Sequence, residues 1–302
     1  MNKKFYGPKS FIGNFRVVVD NIIPKAFYKF IYFTALKIQS RNRNKRKEKL
    51  CFQVQIVKEC NLNCAMCSVF APIRGKEIME LALFEKDIKR IEELSGGDIE
   101  SLTIQGGEPL MHPNVTSFLS IARKYIKKGE IAIVTNGILL TKMDDMFWES
   151  CRENNIGIYV TPYPIKLNRA EIEEKARKYS VKLDFSCAGT KTYFNKRPLN
   201  INGNFDIKKN YKKCSSSKCQ TLHNGKMYTC PTVAFIEYFN DYFGQEFEVT
   251  ERDYIDIYSA DNEFEILDFL SKPQPFCRYC DMDAMELRVP WKISKKEIGE
   301  WT

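Results

Sequence analysis

The hydrophobic and polar positions in the middle of the chain alternate between two periodicities. Short β-rich runs such as CFQVQIV at 51–57 are followed by amphipathic stretches, in which apolar residues recur at helical spacing, as Phe84, Ile88 and Ile91 do before Gly96. Further strand-like runs lie at 99–105, 130–137, 156–164 and 181–186, and further helical runs at 115–126, 142–154 and 168–179. Strand and helix in strict turn predict an α/β fold of parallel strands covered by helices, as a barrel or an open sheet.

The unusual motifs of this half come directly after its strands. Cys60, Cys64 and Cys67 follow the first strand, GGEPL at 106–110 follows the second, and TNG at 135–137 follows the third. Both candidate architectures place their chemistry in the loops at the carboxyl ends of the strands. The sequence therefore predicts that these three loops form one site.

Past about residue 190 the alternation stops. The stretch CSSSKCQTLHNGKMYTCPT at 214–232 has the pattern of a β-hairpin turning at Asn224 and Gly225, and CRYC follows at 277–280. A chain of 302 residues is long enough for one large α/β domain with a smaller appendage. We expect a basic N-terminal segment over 1–50, a core over 51–212 and a second domain over 213–302 that contains a β-hairpin and helices.

The positive charge of the chain is concentrated at its N-terminus. Residues 1–50 hold thirteen of the 47 Lys and Arg residues but only two of the 38 acidic ones. Apolar residues alternate there with lysines, which is typical of a helix that lies on an anionic membrane surface and equally of a helix packed on the main domain. No recognition motif accompanies the charge, so we expect no nucleic-acid partner.

Eleven cysteines are unusual for a chain of this type. The N-terminus lacks the basic start, apolar run and small-residue cleavage site of a secretory signal, so we expect a cytoplasmic protein, or one peripheral to the inner face of the membrane. In a reducing compartment, metal or cluster ligation is favoured over disulfides. Cys51 and Cys151 are expected to pack as small hydrophobic residues.

Three cysteines in one loop raise the question of the fourth ligand. A structural zinc site has four ligands. Cys51 lies at the start of the first strand, at the end away from the cysteine loop, and is therefore poorly placed to be the fourth. Cys60, Cys64 and Cys67 could instead each hold one iron of a four-iron cluster, which leaves one iron open to another ligand.

With these motifs the chain resembles the radical S-adenosylmethionine (SAM) superfamily. The resemblance rests on C-x3-C-x2-C at 60–67 and on GGEP at 106–109, and covers roughly 51–190. It implies a partial (βα)6 barrel, a [4Fe–4S] cluster whose open iron binds SAM, and an electron donor such as flavodoxin or ferredoxin. It also implies reductive cleavage of SAM to a 5′-deoxyadenosyl radical, which abstracts a hydrogen atom from a substrate.

The resemblance also implies roles for residues of the loops. Gly106 and Gly107 would let the backbone approach SAM, Glu108 would fix its amino group directly or through the loop, and Pro109 would stiffen the turn. Contacts to the ribose or methionyl group are implied for Thr135, Asn136, Thr161 and Ser186, and an adenine contact through the backbone is implied for Met66, where the family has an aromatic residue.

A second group of cysteines resembles the auxiliary-cluster domain of radical SAM enzymes, called SPASM or twitch. The group comprises Cys214, Cys219, Cys230, Cys277 and Cys280. It implies one auxiliary [4Fe–4S] cluster, with either Cys214 or Cys219 as the fourth ligand, and a zinc ribbon is the alternative. Cys187 follows a strand, and we predict it as a catalytic hydrogen-atom donor to a substrate radical.

The leading interpretation is a radical SAM oxidoreductase, lyase or epimerase. We expect a small-molecule or glycan substrate, such as a carbohydrate or sugar nucleotide of polysaccharide biosynthesis, that is dehydrogenated, dehydrated or epimerised. A maturase of ribosomal peptides is the alternative within the same chemistry. A non-catalytic iron–sulfur or zinc scaffold is the alternative from another class. Tyr163, Asp184 and Lys191 are guesses at substrate contacts.

Overall fold

A computed structural model describes residues 30–32, 34, 49–185, 193–216 and 219–302. Its first half is a series of parallel strands and helices. The strands are β1 (Cys51–Gln55), β2 (Asp98–Gln105), β3 (Lys128–Thr135), β4 (Ile156–Val160) and β5 (Leu183–Phe185). The helices between them are α1 (Leu81–Ser95), α2 (Val115–Tyr125), α3 (Asp145–Glu153) and α4 (Arg169–Lys178). The predicted α/β fold is confirmed, and the arrangement is consistent with a partial TIM-like barrel.

The second half adds shorter elements. They are β6 (Tyr193–Lys196), α5 (Ile207–Lys213), β7 (Thr221–His223), β8 (Lys226–Tyr228), α6 (Pro231–Ala234), α7 (Ile236–Phe243), β9 (Tyr254–Asp256), α8 (Glu263–Leu270) and β10 (Glu286–Pro290). The large sheet has the order β5-β4-β3-β2-β1-β7-β8-β9, and β6 pairs with β10 in a separate antiparallel ribbon.

The predicted hairpin is confirmed as β7 and β8, which pair antiparallel. Asn224 and Gly225 both have positive φ, 49° and 72°, the conformation that a two-residue turn of this kind requires. The hairpin continues the barrel sheet, because β7 pairs parallel with β1. Main-chain hydrogen bonds therefore join the part after residue 213 to the core, and the domain boundaries stay predictions.

The main hydrophobic core lies between the sheet and its helices. Phe84, Ile88 and Ile91 of α1 are fully buried against the outward residues of β1, Phe52 and Val54. A backbone N–H of Gly96, which has φ 63°, bonds to the carbonyl of Glu92 and ends α1 where the sequence predicts. Because side chains alternate across a strand, the residues of β1 between the core residues face the inside of the partial barrel.

A second aromatic core lies under the C-terminal part. Phe70, just after the cysteine loop, packs with Phe239 of α7 and with Trp301 near the C-terminus. Aromatic side chains carry large apolar areas, so this cluster fixes the C-terminal residues against the cysteine loop.

Most of the basic N-terminal segment lies outside the described residues. Tyr32, in a short helical stretch, is buried against Met282 and Met285, and its hydroxyl donates to Ser215 Oγ at 2.9 Å. At this residue the segment packs on the protein, and binding to a membrane surface stays a prediction. Over the residues that the structure describes, no helix is both long and apolar enough to cross a membrane.

Candidate active site

The cysteine loop begins five residues after β1. Cys64 is buried, whereas Cys60 and Cys67 are half-buried. Asn63 and Met66 have left-handed φ values of 49° and 59°, which turn the backbone twice within the loop. Burial raises the pKa of the Cys60 thiol to about 12, and the negative charge of Cys67 adds to that shift, while the N–H groups of Leu62 and Asn63 oppose it. Cys60 and Cys67 thus interact in a partly desolvated loop, where a bound cation would stabilise their thiolate forms.

The glycines of the second loop are required by the chain itself. A Cβ on Gly106 would lie 2.5 Å from the carbonyl oxygen of Val57, and one on Gly107 would lie 2.1 Å from that of Glu59. The N–H of Gly107 donates to Val57 O at 2.8 Å. The glycines therefore let the second loop lie against the approach to the cysteine loop, a reason that the sequence did not reveal. Their predicted contact with SAM stays a prediction.

Substitution of Gly107 by Ala is expected to disturb the cysteine loop. The new methyl group meets the backbone of Glu59, which cannot rotate away as a side chain could, so the free energy of unfolding should fall by about 1–3 kcal/mol or more. Denaturant unfolding measures the loss. The matched control is Gly299→Ala, because a Cβ there meets no atom of the described residues within 4 Å. Equal stability of the two variants would contradict the packing seen here.

Glu108 connects the second and third loops. Its side chain is fully buried and accepts three hydrogen bonds, from the Thr135 hydroxyl at 2.7 Å, the Asn136 N–H at 2.9 Å and the Leu110 N–H at 3.1 Å. The third loop reaches the cysteine loop in turn, because Asn136 Nδ2 donates to Asn61 Oδ1 at 2.7 Å. Polar contacts therefore join all three loops, buried around Glu108 and partly buried between Asn136 and Asn61. Of the two roles predicted for Glu108, this geometry favours the one that acts through the loop.

Burial raises the pKa of the Glu108 carboxyl from 4.5 to about 7, although its three donors oppose the shift. The folded protein then holds this proton more tightly than the unfolded chain does. The stabilisation that the raised pKa of Glu108 contributes is fully present below about pH 4.5 and is lost as the pH rises toward 7. We expect that Glu108→Gln removes a pH dependence on the order of 3 kcal/mol. Urea unfolding of both proteins from pH 4.5 to 7.5 measures the difference, and parallel pH profiles would contradict this shift.

The remaining predicted contacts of the barrel rim fall into two groups. Pro109 begins a 3₁₀ turn, Pro109–Met111, that Glu108 caps. Thr161, directly after β4, is buried, and its N–H donates to Thr135 O at 2.9 Å. Pro109 and Thr161 therefore lie beside the polar network of the three loops. Ser186, Cys187 and Lys191 lie outside the described residues, so their predicted roles stay predictions.

Two aromatic residues at the cysteine loop need the tertiary structure to be recognised. The indole N–H of Trp291 donates to Cys64 Sγ at 3.1 Å, and the Tyr163 hydroxyl hydrogen-bonds to the same thiol. Burial raises the pKa of Tyr163, and the charges of Cys64, Cys67 and Cys60 raise it further. Tyr163, a guess at a substrate contact in the sequence, thus contacts the cysteine site. Trp291 was missed, because nothing near it in the chain carries a motif.

The C-terminal cysteines form a second group. The charge of Cys214 raises the pKa of Cys230, Cys277 and Cys280, after the larger effect of burial in each case. The amide of Asn210 donates to Cys277 O at 2.9 Å and to Cys280 O. Burial alone would lower the pKa of Arg197, but the charges of Cys214 first, and then of Tyr32 and Cys219, raise it. The structure therefore brings Cys214 to the other three, which favours it as the fourth member of the group.

Both groups have the donor chemistry of an iron–sulfur site, three thiols in one loop and four across the C-terminal part. Within the described ranges, no three Cys, His, Asp or Glu side chains are arranged to hold a single metal ion. Of the other cysteines, Cys151 is buried in the main core as expected. The Sγ atom of Cys51 lies 2.9 Å from Ser101 Oγ, within hydrogen-bonding distance. The residues present fit a [4Fe–4S] cluster at Cys60, Cys64 and Cys67.

Comparison with known proteins finds a family match over part of the chain. Residues 54–161 match the Radical SAM superfamily. GTP 3′,8-cyclase of Helicobacter pylori is 29% identical over 91 residues, which are 30% of this chain and 28% of that protein. GTP 3′,8-cyclase of Petrotoga mobilis is 32% identical over 90 residues, again 30% and 28% of the two chains. The chain thus spans just over a quarter of the length of these curated relatives.

Solved structures to which the chain is similar include BtrN in complex with AdoMet and 2-DOIA. It is 16% identical, and the similarity covers 78% of this chain and 94% of that one with a TM-score of 0.43. Native anSMEcpe with bound AdoMet and the Cp18Cys peptide is 22% identical over 44% of this chain and 41% of that one, with a TM-score of 0.34.

Proposed function

We propose, taking the radical SAM match over residues 54–161 as the premise, that the chain is an enzyme that reductively cleaves SAM and abstracts a hydrogen atom from a carbohydrate or sugar-nucleotide substrate. The substrate radical would then be dehydrogenated, dehydrated or epimerised. We propose a cytoplasmic location, where a flavodoxin or ferredoxin can supply the electron. The name of the curated relatives refers to a nucleotide, but the match covers only 28% of those proteins, so we do not carry over their substrate.

The observation that carries the proposal is the junction of three loops at one end of the sheet. Cys60, Cys64 and Cys67 would hold the cluster, and bound SAM would supply a 5′-deoxyadenosyl radical when an electron arrives. Glu108 and Asn136 hold the second and third loops against the cysteine loop through the contacts at 2.9 and 2.7 Å. Hydrogen bonds that are shielded from water in this way keep a site in one geometry, as radical chemistry requires, and the Glu108 contact is fully buried while the Asn136 to Asn61 contact is partly so.

We assign an auxiliary cluster to Cys214, Cys230, Cys277 and Cys280. Four thiolates fill every iron of such a cluster, so it has no open position for a substrate and suits the transfer of single electrons. In a dehydrogenation the substrate radical would give one electron to this cluster and a proton to solvent. The proximity of Cys214 to the other three cysteines supports the assignment.

The polar side chains on the inner face of the partial barrel support the proposal of a hydroxyl-rich substrate. Gln53 Nε2 donates to Thr221 Oγ1 at 2.9 Å, and its oxygen accepts a hydrogen bond from Gln105. Gln55 accepts from Arg74 at 2.5 Å, whereas its Nε2 is buried without a hydrogen-bond partner in the part of the chain that is described. A buried amide N–H without an acceptor is costly, and a substrate hydroxyl could satisfy it. The amides and the hydroxyl here, together with the Arg74 guanidinium, therefore suit a sugar better than an apolar substrate.

The test combines SAM cleavage with isotope transfer. Anaerobically reconstituted protein is reduced with dithionite and supplied with SAM and with carbon-deuterated sugar nucleotides or peptides. Deuterium from a sugar carbon in 5′-deoxyadenosine is the expected result. Transfer from a peptide instead would favour a peptide maturase and contradict the substrate proposal. Protein that forms no 5′-deoxyadenosine under any condition would contradict the enzyme proposal and favour a scaffold.

A further inference from the structure

The thiol of Cys64 is the only one of the three loop cysteines for which two aromatic hydrogen-bond donors are seen in the described residues. Trp291 donates from its indole at 3.1 Å, and Tyr163 contributes its hydroxyl. The two rings lie 6.2 Å apart, and the Tyr163 ring stacks on Phe194 at 6.1 Å. The ring packing holds both donors in place at one sulfur.

The segment that carries Trp291 is itself attached to the cysteine loop. The N–H of Ala65 donates to Lys292 O at 3.0 Å, and the N–H of Ser294 donates to Asn63 O at 2.8 Å. Farther along, the indole N–H of Trp301 donates to Cys67 O at 2.9 Å. Residues 291–301, which we call the C-terminal strap, therefore contact the loop on both sides of Cys64.

The carboxylate of Glu300 stabilises the folded form of the strap. Glu300 is buried and accepts hydrogen bonds from the Ser294 hydroxyl and the Lys295 N–H, both at 2.6 Å. These bonds keep the strap folded back on itself, so that Trp291 and Trp301 reach the loop together. The contact between the strap and the cysteine loop therefore depends on the fold of residues 291–301 as well as on Trp291 itself.

We propose that Trp291 and Tyr163 are positioning residues that raise the reduction potential of the cluster held by Cys60, Cys64 and Cys67, through hydrogen bonds to the Cys64 sulfur. The inference rests on the proposed function and deepens it. An added electron increases the negative charge on the cysteine sulfurs, so donors at Cys64 stabilise the reduced cluster more than the oxidised one. The C-terminal strap thus makes the cluster easier to reduce by the cytoplasmic donor.

The test is a redox titration of the reconstituted protein, followed by the electron paramagnetic resonance signal of the reduced cluster. Trp291→Phe keeps the ring and removes the N–H. At the potential where the wild-type cluster is half reduced, we expect a ratio of reduced to oxidised cluster roughly tenfold lower in this variant. Tyr163→Phe removes the second donor and should shift the potential in the same direction. Cys280→Ala in the background of every variant removes the auxiliary cluster from the signal.

The matched control is Trp148→Phe. Trp148 is fully buried in α3, and its indole N–H has no hydrogen-bond partner among the described residues, so the same substitution removes no donor from a sulfur of the loop. We expect its cluster to titrate at the wild-type potential. If the clusters of Trp291→Phe and Tyr163→Phe both have the same reduction potential as this control, the inference is wrong while the proposed function stands. If the wild-type protein forms no cluster at these three cysteines, the proposed function fails, and the inference fails with it.

Discussion

The Cys64→Ala variant is expected to lose SAM cleavage almost completely. Each of the three loop cysteines holds one iron in the proposed cluster, so removal of one thiolate leaves a coordination position without its ligand. Loss of residues that merely support a ligand already costs about 10–100-fold in metal affinity or activity. We therefore expect a decrease of more than about 100-fold in the formation of 5′-deoxyadenosine, measured after anaerobic reconstitution, together with a lower iron content.

Cys151→Ala is the matched control for this experiment. Cys151 is a buried thiol of the main core and lies in α3, away from the cysteine loop. Its replacement should change stability slightly and leave both iron content and SAM cleavage intact. A Cys64→Ala protein that cleaves SAM as well as the Cys151→Ala protein would overturn the assignment of the first cluster.

Cys280→Ala is expected to remove the auxiliary cluster and leave the first one. Cys280 lies with Cys214, Cys230 and Cys277, and burial, followed by the charges of these three, raises the pKa of its thiol. Iron and sulfide analysis should therefore show the loss of one of two four-iron clusters. SAM cleavage should persist, because the three loop cysteines are intact, whereas turnover of a substrate that must give up an electron should stop.

The comparison of Cys214→Ala with Cys219→Ala decides the fourth ligand. The proximity of Cys214 to the other three predicts that its variant loses the auxiliary cluster, while the Cys219 variant keeps it. The opposite pattern would show that Cys219 is the ligand. Retention of the cluster in the Cys214→Ala, Cys219→Ala and Cys280→Ala variants alike would contradict an auxiliary cluster at these cysteines. Zinc in place of iron would favour the zinc-ribbon alternative.

Gly107 and Glu108 show where sequence reasoning reached its limit. The motif drew attention to the correct loop, and the structure places that loop beside the cysteines. The reason for glycine is nevertheless the carbonyl of Glu59, 2.1 Å from the position of a Cβ. Glu108 likewise binds Thr135 and Asn136. Crowding and hydrogen bonding between loops depend on how two strands register, which no local pattern records.

The sequence by itself determined the α/β series, the end of α1 at Gly96, the hairpin turn at Asn224 and Gly225, and the loop that carries the three cysteines. These features follow from apolar periodicity and from backbone preferences, which act between residues close in the chain. Only the tertiary structure decided that β7 joins β1, that Cys214 lies with Cys230, Cys277 and Cys280, and that Trp291 donates to Cys64 from 227 positions away. Such contacts arise when packing brings distant segments together. A single donor or thiol forms no repeating pattern in the sequence, so its partner cannot be predicted from the sequence.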